Sequence, residues 1–431
     1  MKRIILLFSI ILTTVIITGC NPEDDTTSLW GPVTYDSTKH TITNVEIVNT
    51  GSEHIEGVTT LKITGTNFPN DYRNLKVWVS LTKAYLASID PATYKTTEFY
   101  IKIPTVYDPL KDAERIDTLT IKLEKNGVPV YATSKLNGVK RGVIVPIKIA
   151  DIDKPVNAIT LDKSNNLYFC LTQNGTSKGI FKGIIASNEY SQFLNFNGLF
   201  NGLKYGPGDT LYAVGFNYLV SCDGKNLTKI NQFANINTAN DLDFDDKLNV
   251  WVVTKTAKII ALVTRSSKYK NNVKFTINDA DIYEMRSCKF VKLNNNAYLY
   301  VAGADKNGVE KIVRFKITND VLDTTPEVIF TLSSGKIYSF ALSKDGDIYV
   351  GTNGSIPLIW IKPDGTYENM LYYNNLTSTC VIQPNIIAIA YGIDKCIYVI
   401  RETPDKQTYK QTIFKIYTGK DTAPYYGRGD N

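Results

Sequence analysis

Histidine is almost missing from this chain. Only His40 and His54 occur among 431 residues, so no imidazole is available from residue 55 onward. Ser-His-Asp and Cys-His catalysis, His-ligated zinc and histidine-base chemistry are therefore excluded over that whole stretch. Cysteine is also scarce. Apart from Cys20 there are Cys170, Cys222, Cys288, Cys380 and Cys396, an odd number with no CxxC and no nearby His. That spacing supports no zinc site. Cys170 and Cys396 sit in the apolar runs "LYFCL" and "KCIYVI", where cysteine acts as a small hydrophobe. A Cys170–Cys396 disulfide stays open as an alternative if the chain is exported. There is no basic block either: 48 Lys and Arg stand against 42 Asp and Glu, dispersed along the chain. Such a balance is too mild for a nucleic-acid footprint, and no nucleic-acid partner is expected.

Long hydrophobic runs are limited to one. Ile4 to Thr18 carries no charge and follows Lys2 and Arg3, the charged and apolar regions of a secretory signal. At about 15 residues it falls short of the roughly 20 that a spanning helix needs. The run ends in Ile17-Thr18-Gly19-Cys20, which resembles the bacterial lipobox. That resemblance implies a signal at 1–19, a diacylglyceryl thioether on Cys20 and a chain tethered to the outer membrane by lipid. Several acyl chains give stable attachment where one gives only marginal binding. Without Lys2 and Arg3 the balance is 46 against 42, a mature charge of +4. Asn21-Pro22-Glu23-Asp24-Asp25 opens a polar tether, 20–40, whose plain reading is a solvated charge run. It also resembles the export signal of Bacteroidetes-type surface lipoproteins, which implies display on the cell exterior.

From residue 41 the pattern is all-β. "TITNVEIVNTGSEHIEGVTTLKITGTNF" alternates apolar and polar residues between Gly-bearing turns, and "LKVWVSL", "EFYIKIP" and "TLTIKLE" continue it with no helical period. Leu61, Ile63, Gly65, Asn67 and Phe68 in "GVTTLKITGTNF" resemble the strand and turn of the IPT/TIG domain. The resemblance covers 41–139 and implies an immunoglobulin-like sandwich serving as a spacer or interaction module.

A repeat takes over at residue 155. Its units are "ITLDKSNNLYFCL", "LKYGPGDTLYAVG", "LDFDDKLNVWVVT", "FVKLNNNAYLYVAG", "FALSKDGDIYVGT" and "IAYGIDKCIYVIR", centred on Tyr168, Tyr212, Trp251, Tyr300, Tyr349 and Tyr398. Each unit is strand, polar turn, strand, and two more strands follow, as in a β-propeller blade. Six units predict six blades over 142–420, with a C-terminal tail at 421–431. The last blade lacks a strand, and "GVIVPIKIA" at 142–150 supplies it by pairing near 411–418, leaving no open edge. The "KDGDIYVG" form resembles NHL-type repeats, a signature shared by binders, scaffolds and enzymes, so the fold alone carries no function.

Candidate site residues are those that ring symmetry does not require. The repeated aromatics read as between-blade packing. The loops leading into the inner strands instead carry Phe196, Phe200, Tyr283, Arg286, Tyr338, Tyr372 and Tyr373 amid Asn-rich sequence. Rings beside amides and carboxyls suit a sugar, whose CH faces stack while its hydroxyls hydrogen-bond; the same aromatics could seal the blade tops. Asn157, Asn201 and Asn240 fall eleven residues before successive blade aromatics, with Asp241 adjacent. They read as caps of their own turns. The alternative is a Ca²⁺ site of hard oxygen ligands, as in the calcium-dependent six-bladed lactonases that the chain resembles, with Glu284 as base. No catalytic residue or obligatory cofactor is assigned. The reading is a lipid-anchored surface protein that binds an extracellular ligand, a glycan first, with a metal-assisted hydrolase or lyase and a protein-binding scaffold as alternatives.

Overall fold

The computed structural model describes residues 39–430 except 49–53, 56–58, 81–83, 88, 105, 108–114, 134, 142–143, 148–155, 174–175, 186–188, 197–199, 234–237, 256–257, 371–372, 375–383 and 403–411. Cys20, its signal and nearly all of the tether lie outside the described residues, as do Tyr372 and Cys380. Regular structure among the described residues is strand, with four single 3₁₀ turns.

Two sheets form the N-terminal part. Thr60–Thr66 is flanked by Thr41–Ile47 and Glu98–Lys102 in one. The other is centred on Arg115–Lys125, with Leu75–Ser80 and Leu136–Arg141 on either side. Alternate residues of each strand face inward, as period-two patterning requires, and Leu61, Ile63, Val77, Val79, Phe99, Ile101, Leu119, Ile121 and Leu123 make the core. The Gly-x-Asn-Phe turn has a steric cause. A Cβ on Gly65 would stand 1.9 Å from the Thr41 carbonyl oxygen. Asn67 takes a positive φ of 59°, and Phe68 sets its edge against Phe99 at 5.2 Å.

Six antiparallel sheets follow, five of four strands and one of five, and in all but the last the strands run outward from the centre in chain order. Their innermost strands are Val156–Leu161, Gly202–Gly206, Ala239–Phe244, Glu284–Leu293, Ile337–Leu342 and Ile386–Tyr391. Each packs against the next and the last packs against the first, which closes a ring. The sheets are numbered blades 1 to 6 in that order. Blade 6 takes its outer strand from Ile144–Ile147, antiparallel to Thr412–Tyr417 with Ile144 opposite Ile416 and Ile147 opposite Ile413. This is the closure expected from "GVIVPIKIA".

The repeat has a local chemical cause. In blade 3 the turn residue Asp245 accepts hydrogen bonds from the backbone N–H of Lys247 and Asn249, from Asn249 Nδ2, and from Trp251 Nε1 at 3.2 Å. Asp162 does the same in blade 1 with Ser164, Asn166 and the Tyr168 hydroxyl, and in blade 6 Asp394 accepts from the Tyr398 hydroxyl at 2.8 Å. Rings at this position in blades 1, 2 and 5 also meet the neighbouring blade, Tyr168 lying 6.2 Å from Tyr205. Tyr212 packs edge-on to Phe244 at 5.0 Å and Tyr349 to Tyr391 at 5.8 Å. In blade 1 turn and aromatic thus act as one device, the Tyr168 tip fixed by the hairpin and its ring packed against blade 2.

The two parts touch at blade 5. Tyr373–Asn374 pairs in parallel with Val106–Tyr107. Lys102 forms an ion pair with Glu368 and lies 5.3 Å from the centre of the Trp360 ring.

Candidate functional site

The inner strands surround a central channel. Near the starts of those strands a cavity of about 50 Å³ is bounded by Ala158, Asn201, Asp241, Arg286, Tyr338 and Ile387, one residue from each blade, with Ser287 and Ser339 beside them. Deeper, a second cavity of about 60 Å³ is bounded by Leu161, Asp243, Phe290, Leu342 and Tyr391. Ile159, Lys204, Lys289 and Ile389 line both, so the two are successive levels of one channel.

The far end is crossed by the C-terminal segment, which lines the deep cavity with Thr422–Tyr425 and Arg428. The Tyr425 hydroxyl donates to the Tyr205 carbonyl of blade 2. Ala423 N–H donates to the Leu342 carbonyl of blade 5 at 3.0 Å, and Arg428 Nη1 to the Tyr391 carbonyl of blade 6 at 2.9 Å. A Cβ on Gly427 would meet the Tyr205 carbonyl oxygen at 2.4 Å, so the segment can lie this close only with glycine there. Residues 421–431 read from sequence only as a tail to the last blade. Its short, mixed composition has no periodicity, and its partners are backbone carbonyls of distant strands.

Four charges stand in the channel wall. Lys204 Nζ lies 3.5 Å from Asp243 Oδ1, and Lys289 Nζ 3.5 Å from Asp241 Oδ2. Burial works against both cations. Lys204 is nevertheless held above the usual lysine range by Asp243 and Asp241, whereas Lys289 falls below it through burial and then the Lys204 charge. Burial raises Asp243 above the usual carboxylate range. For Asp241 burial also acts upward, but Lys289, Lys204 and the Cys288 N–H together bring it below. Asp243 Oδ1 is buried without a hydrogen bond.

Arg286 is pinned at the mouth. Its Nε donates to the Ile337 carbonyl at 2.6 Å, and its Nη2 to Glu310, which also accepts the Ile337 N–H at 2.9 Å. Nη1 is 3.0 Å from Glu284 Oε2, a charge contact without hydrogen-bond alignment. Glu284 is thereby engaged with Arg286 rather than standing apart as a base.

The structure redistributes the sequence-predicted residues. Arg286, Tyr338, Asn201 and Asp241 do meet at the mouth. Phe200 does not: it is 1% exposed, stacked on Phe196 at 4.9 Å, and both belong to the apolar packing between blades 1 and 2. Tyr283 lies off the mouth with Lys258 Nζ 5.8 Å from its ring centre, and Tyr373 is in the strand that pairs with the N-terminal part. Asn201 and Asn240 do not cap their own turns. Asn201 Nδ2 donates to the Ala239 carbonyl of the next blade at 3.0 Å, and Asn240 Nδ2 to the Met285 carbonyl at 2.9 Å. The amides join each inner strand to the next. Asp241 joins too, accepting from Leu242 N–H through one oxygen and from Ser287 Oγ and Cys288 N–H through the other. The Asn157 side chain lies outside the described residues. No group of three or more His, Cys, Asp or Glu side chains able to hold a metal occurs among the described residues.

Lys204, Asp243, Ser287 and Lys289 were not singled out from the sequence. A signal was present: polar residues at alternate positions of otherwise apolar inner strands, as in "LKYG" and "SCKFVKL", must face the channel if their neighbours face the blade cores.

Comparisons with known proteins give one family match and a set of distant structural likenesses. The family described as two component regulator propeller matches residues 331–354, the inner hairpin of blade 5. No curated protein matches the chain. Among solved structures, a Bacteroides thetaiotaomicron protein of unknown function is 12% identical, with 89% of this chain and 99% of that chain covered and a TM-score of 0.45. A gluconolactonase from Xanthomonas campestris is 9% identical over 63% of this chain and 89% of its own, with a TM-score of 0.47. Regucalcin from Agrobacterium tumefaciens, a calcium-binding protein, is 14% identical over 65% and 95%, with a TM-score of 0.49. The ring of sheets and the matched repeat define a β-propeller preceded by a two-sheet β unit.

Proposed function

We propose that this chain is a lipid-anchored binding protein displayed on the cell exterior, and that the channel mouth of its propeller recognises a glycan. The observation that carries the reading is the convergence at one mouth of the half-buried Tyr338 ring with Asn201, Arg286, Ser287 and Ser339. A ring offers a face to sugar CH groups, and amide, guanidinium and hydroxyl groups match sugar hydroxyls. The channel's far end is crossed by residues 422–428, so a ligand would meet this mouth and stop. Lipid attachment at Cys20 and outward display rest on the apolar run, the lipobox-like tetrapeptide and the acidic residues after it. The two-sheet unit would act as an IPT/TIG-like spacer holding the propeller away from the membrane. Weak single-site binding would be strengthened by many copies on one surface.

A glycan array probed with the full-length protein tests this directly, with a pull-down from the surrounding medium run alongside. Hits sharing one sugar unit support the glycan reading. An empty array beside one stoichiometric protein partner would replace it with a protein-binding scaffold.

A further inference from the structure

Lys289 has an environment that pairing with Asp241 does not fully explain. It lies on the inner strand of blade 4, lines both levels of the channel, and keeps 15% of its side chain exposed there. Lys204 of blade 2, 12% exposed, lines the same two levels. Between them blade 3 places Asp241 and Asp243. The other neighbours are Ser287 Oγ at 3.4 Å, the Cys288 carbonyl at 3.0 Å, the buried Cys288 thiol, and the Phe340 ring of blade 5 at 5.4 Å. Lys204 has a stronger claim to its charge, with Asp243 near it and the Tyr425 ring 5.5 Å from its Nζ. A desolvated lysine beside a second cation is the arrangement that leaves an amine uncharged and nucleophilic near neutral pH.

We propose that Lys289 is a nucleophilic amine that forms an imine with a small aldehyde or ketone admitted through the channel mouth. The inference rests on the mouth being a ligand doorway, as proposed above. The Nζ lone pair adds to the carbonyl carbon and a C–N bond forms. A proton passes from nitrogen to the carbonyl oxygen, giving a carbinolamine. Loss of that hydroxyl as water, with Lys204 or the Asp243 carboxyl as proton donor, leaves a C=N bond. Hydrolysis reverses each step and returns the carbonyl compound unchanged. The open-chain form of a short sugar belongs to the class that could react. Burial and the Lys204 charge, which lower the Lys289 pKa, support the same assignment.

The test is reductive trapping on the full chain. Glycolaldehyde and cyanoborohydride are added at about pH 6, where only roughly one in 10⁴ exposed lysines is uncharged, and alkylated peptides are quantified by mass spectrometry. Lys289 should be modified at least about 10-fold faster than the exposed Lys225 and Lys268. Lys204→Met, by removing the neighbouring cation, should slow Lys289 modification about 10-fold at this pH, while Lys204→Arg should retain it. Modification of Lys289 no faster than the exposed lysines, or indifference to Lys204→Met in a folded variant, would overturn the proposal. Glycan binding that depends on Tyr338 without trapping at Lys289 would remove this inference alone. Trapping without any glycan binding would instead remove the glycan reading.

Discussion

At the scale of single residues, charges decide more than aromatics. Arg286 ties blade 4 to blade 5 through the Ile337 carbonyl and Glu310, whose side chain is 6% exposed. Arg286→Ala would leave that carboxylate buried without its cation, which costs about 3–5 kcal/mol. Urea unfolding should show the loss, and Arg286→Lys should recover only part, because one ammonium cannot reach both partners as the guanidinium does. Glu98 gives a pH prediction in the N-terminal part. Hydrogen bonds from Lys62, then Lys95, push its pKa down to about 2 from an ordinary 4.5. A depressed carboxylate contributes stability that is complete above the ordinary value and lost as pH falls towards 2. Glu98→Gln should therefore flatten the acid side of the stability profile between those limits and leave the difference between pH 6 and 7 unchanged. An unaltered acid limb would show the ion pairs to be inconsequential.

Strands and turns form the next level, and here a bond from turn Asp to blade aromatic recurs in blades 1, 3 and 6. Asp245 serves four N–H groups in a single turn, two of them on buried side chains. Asp245→Ala should lower stability by about 3 kcal/mol, with Asp245→Asn recovering part through its remaining carbonyl oxygen. An equally stable Asp245→Ala protein would mean the aromatic packs without help from its hairpin. Architecture at this level was legible in the sequence, because hairpin chemistry and period-two alternation are local. The "DKLNVWVV" unit announces strand, turn and buried ring within a few residues. The site was legible only where a residue type signals chemistry on its own, as Arg286 and Tyr338 do. Phe200 misled because loop position does not reveal whether a ring faces the mouth or the seam between blades, a difference set by tertiary packing. Asn201 and Asn240 misled similarly: their spacing reflects a bond to the next blade, a partner about 40 residues away in sequence.

For the whole molecule, closure is the governing feature, and it is made twice. Ile144–Ile147 completes blade 6 at the rim, so the ring is sewn by residues from both ends of the propeller. The segment 422–428 then crosses the channel and joins blades 2, 5 and 6 at the centre. Tyr425→Ala should remove an anchored aromatic at a cost of about 3 kcal/mol. In addition it should open the deep cavity to water, seen as faster hydrogen exchange at the far ends of the inner strands. Unchanged exchange there would make the crossing segment ornamental to channel closure. The polar mouth, the crossed far end and the buried lysine pair thus belong to one channel through the ring.

The central claim is that this mouth binds a sugar. Its most direct test is equilibrium titration of the best array hit against the wild-type chain and Tyr338→Ala, with unfolding of both measured in parallel. The ring's stacking contribution of about 1.5 kcal/mol predicts binding weakened roughly tenfold or more in the variant, at nearly unchanged stability. Equal affinity in the two proteins would contradict it and move the site away from the channel.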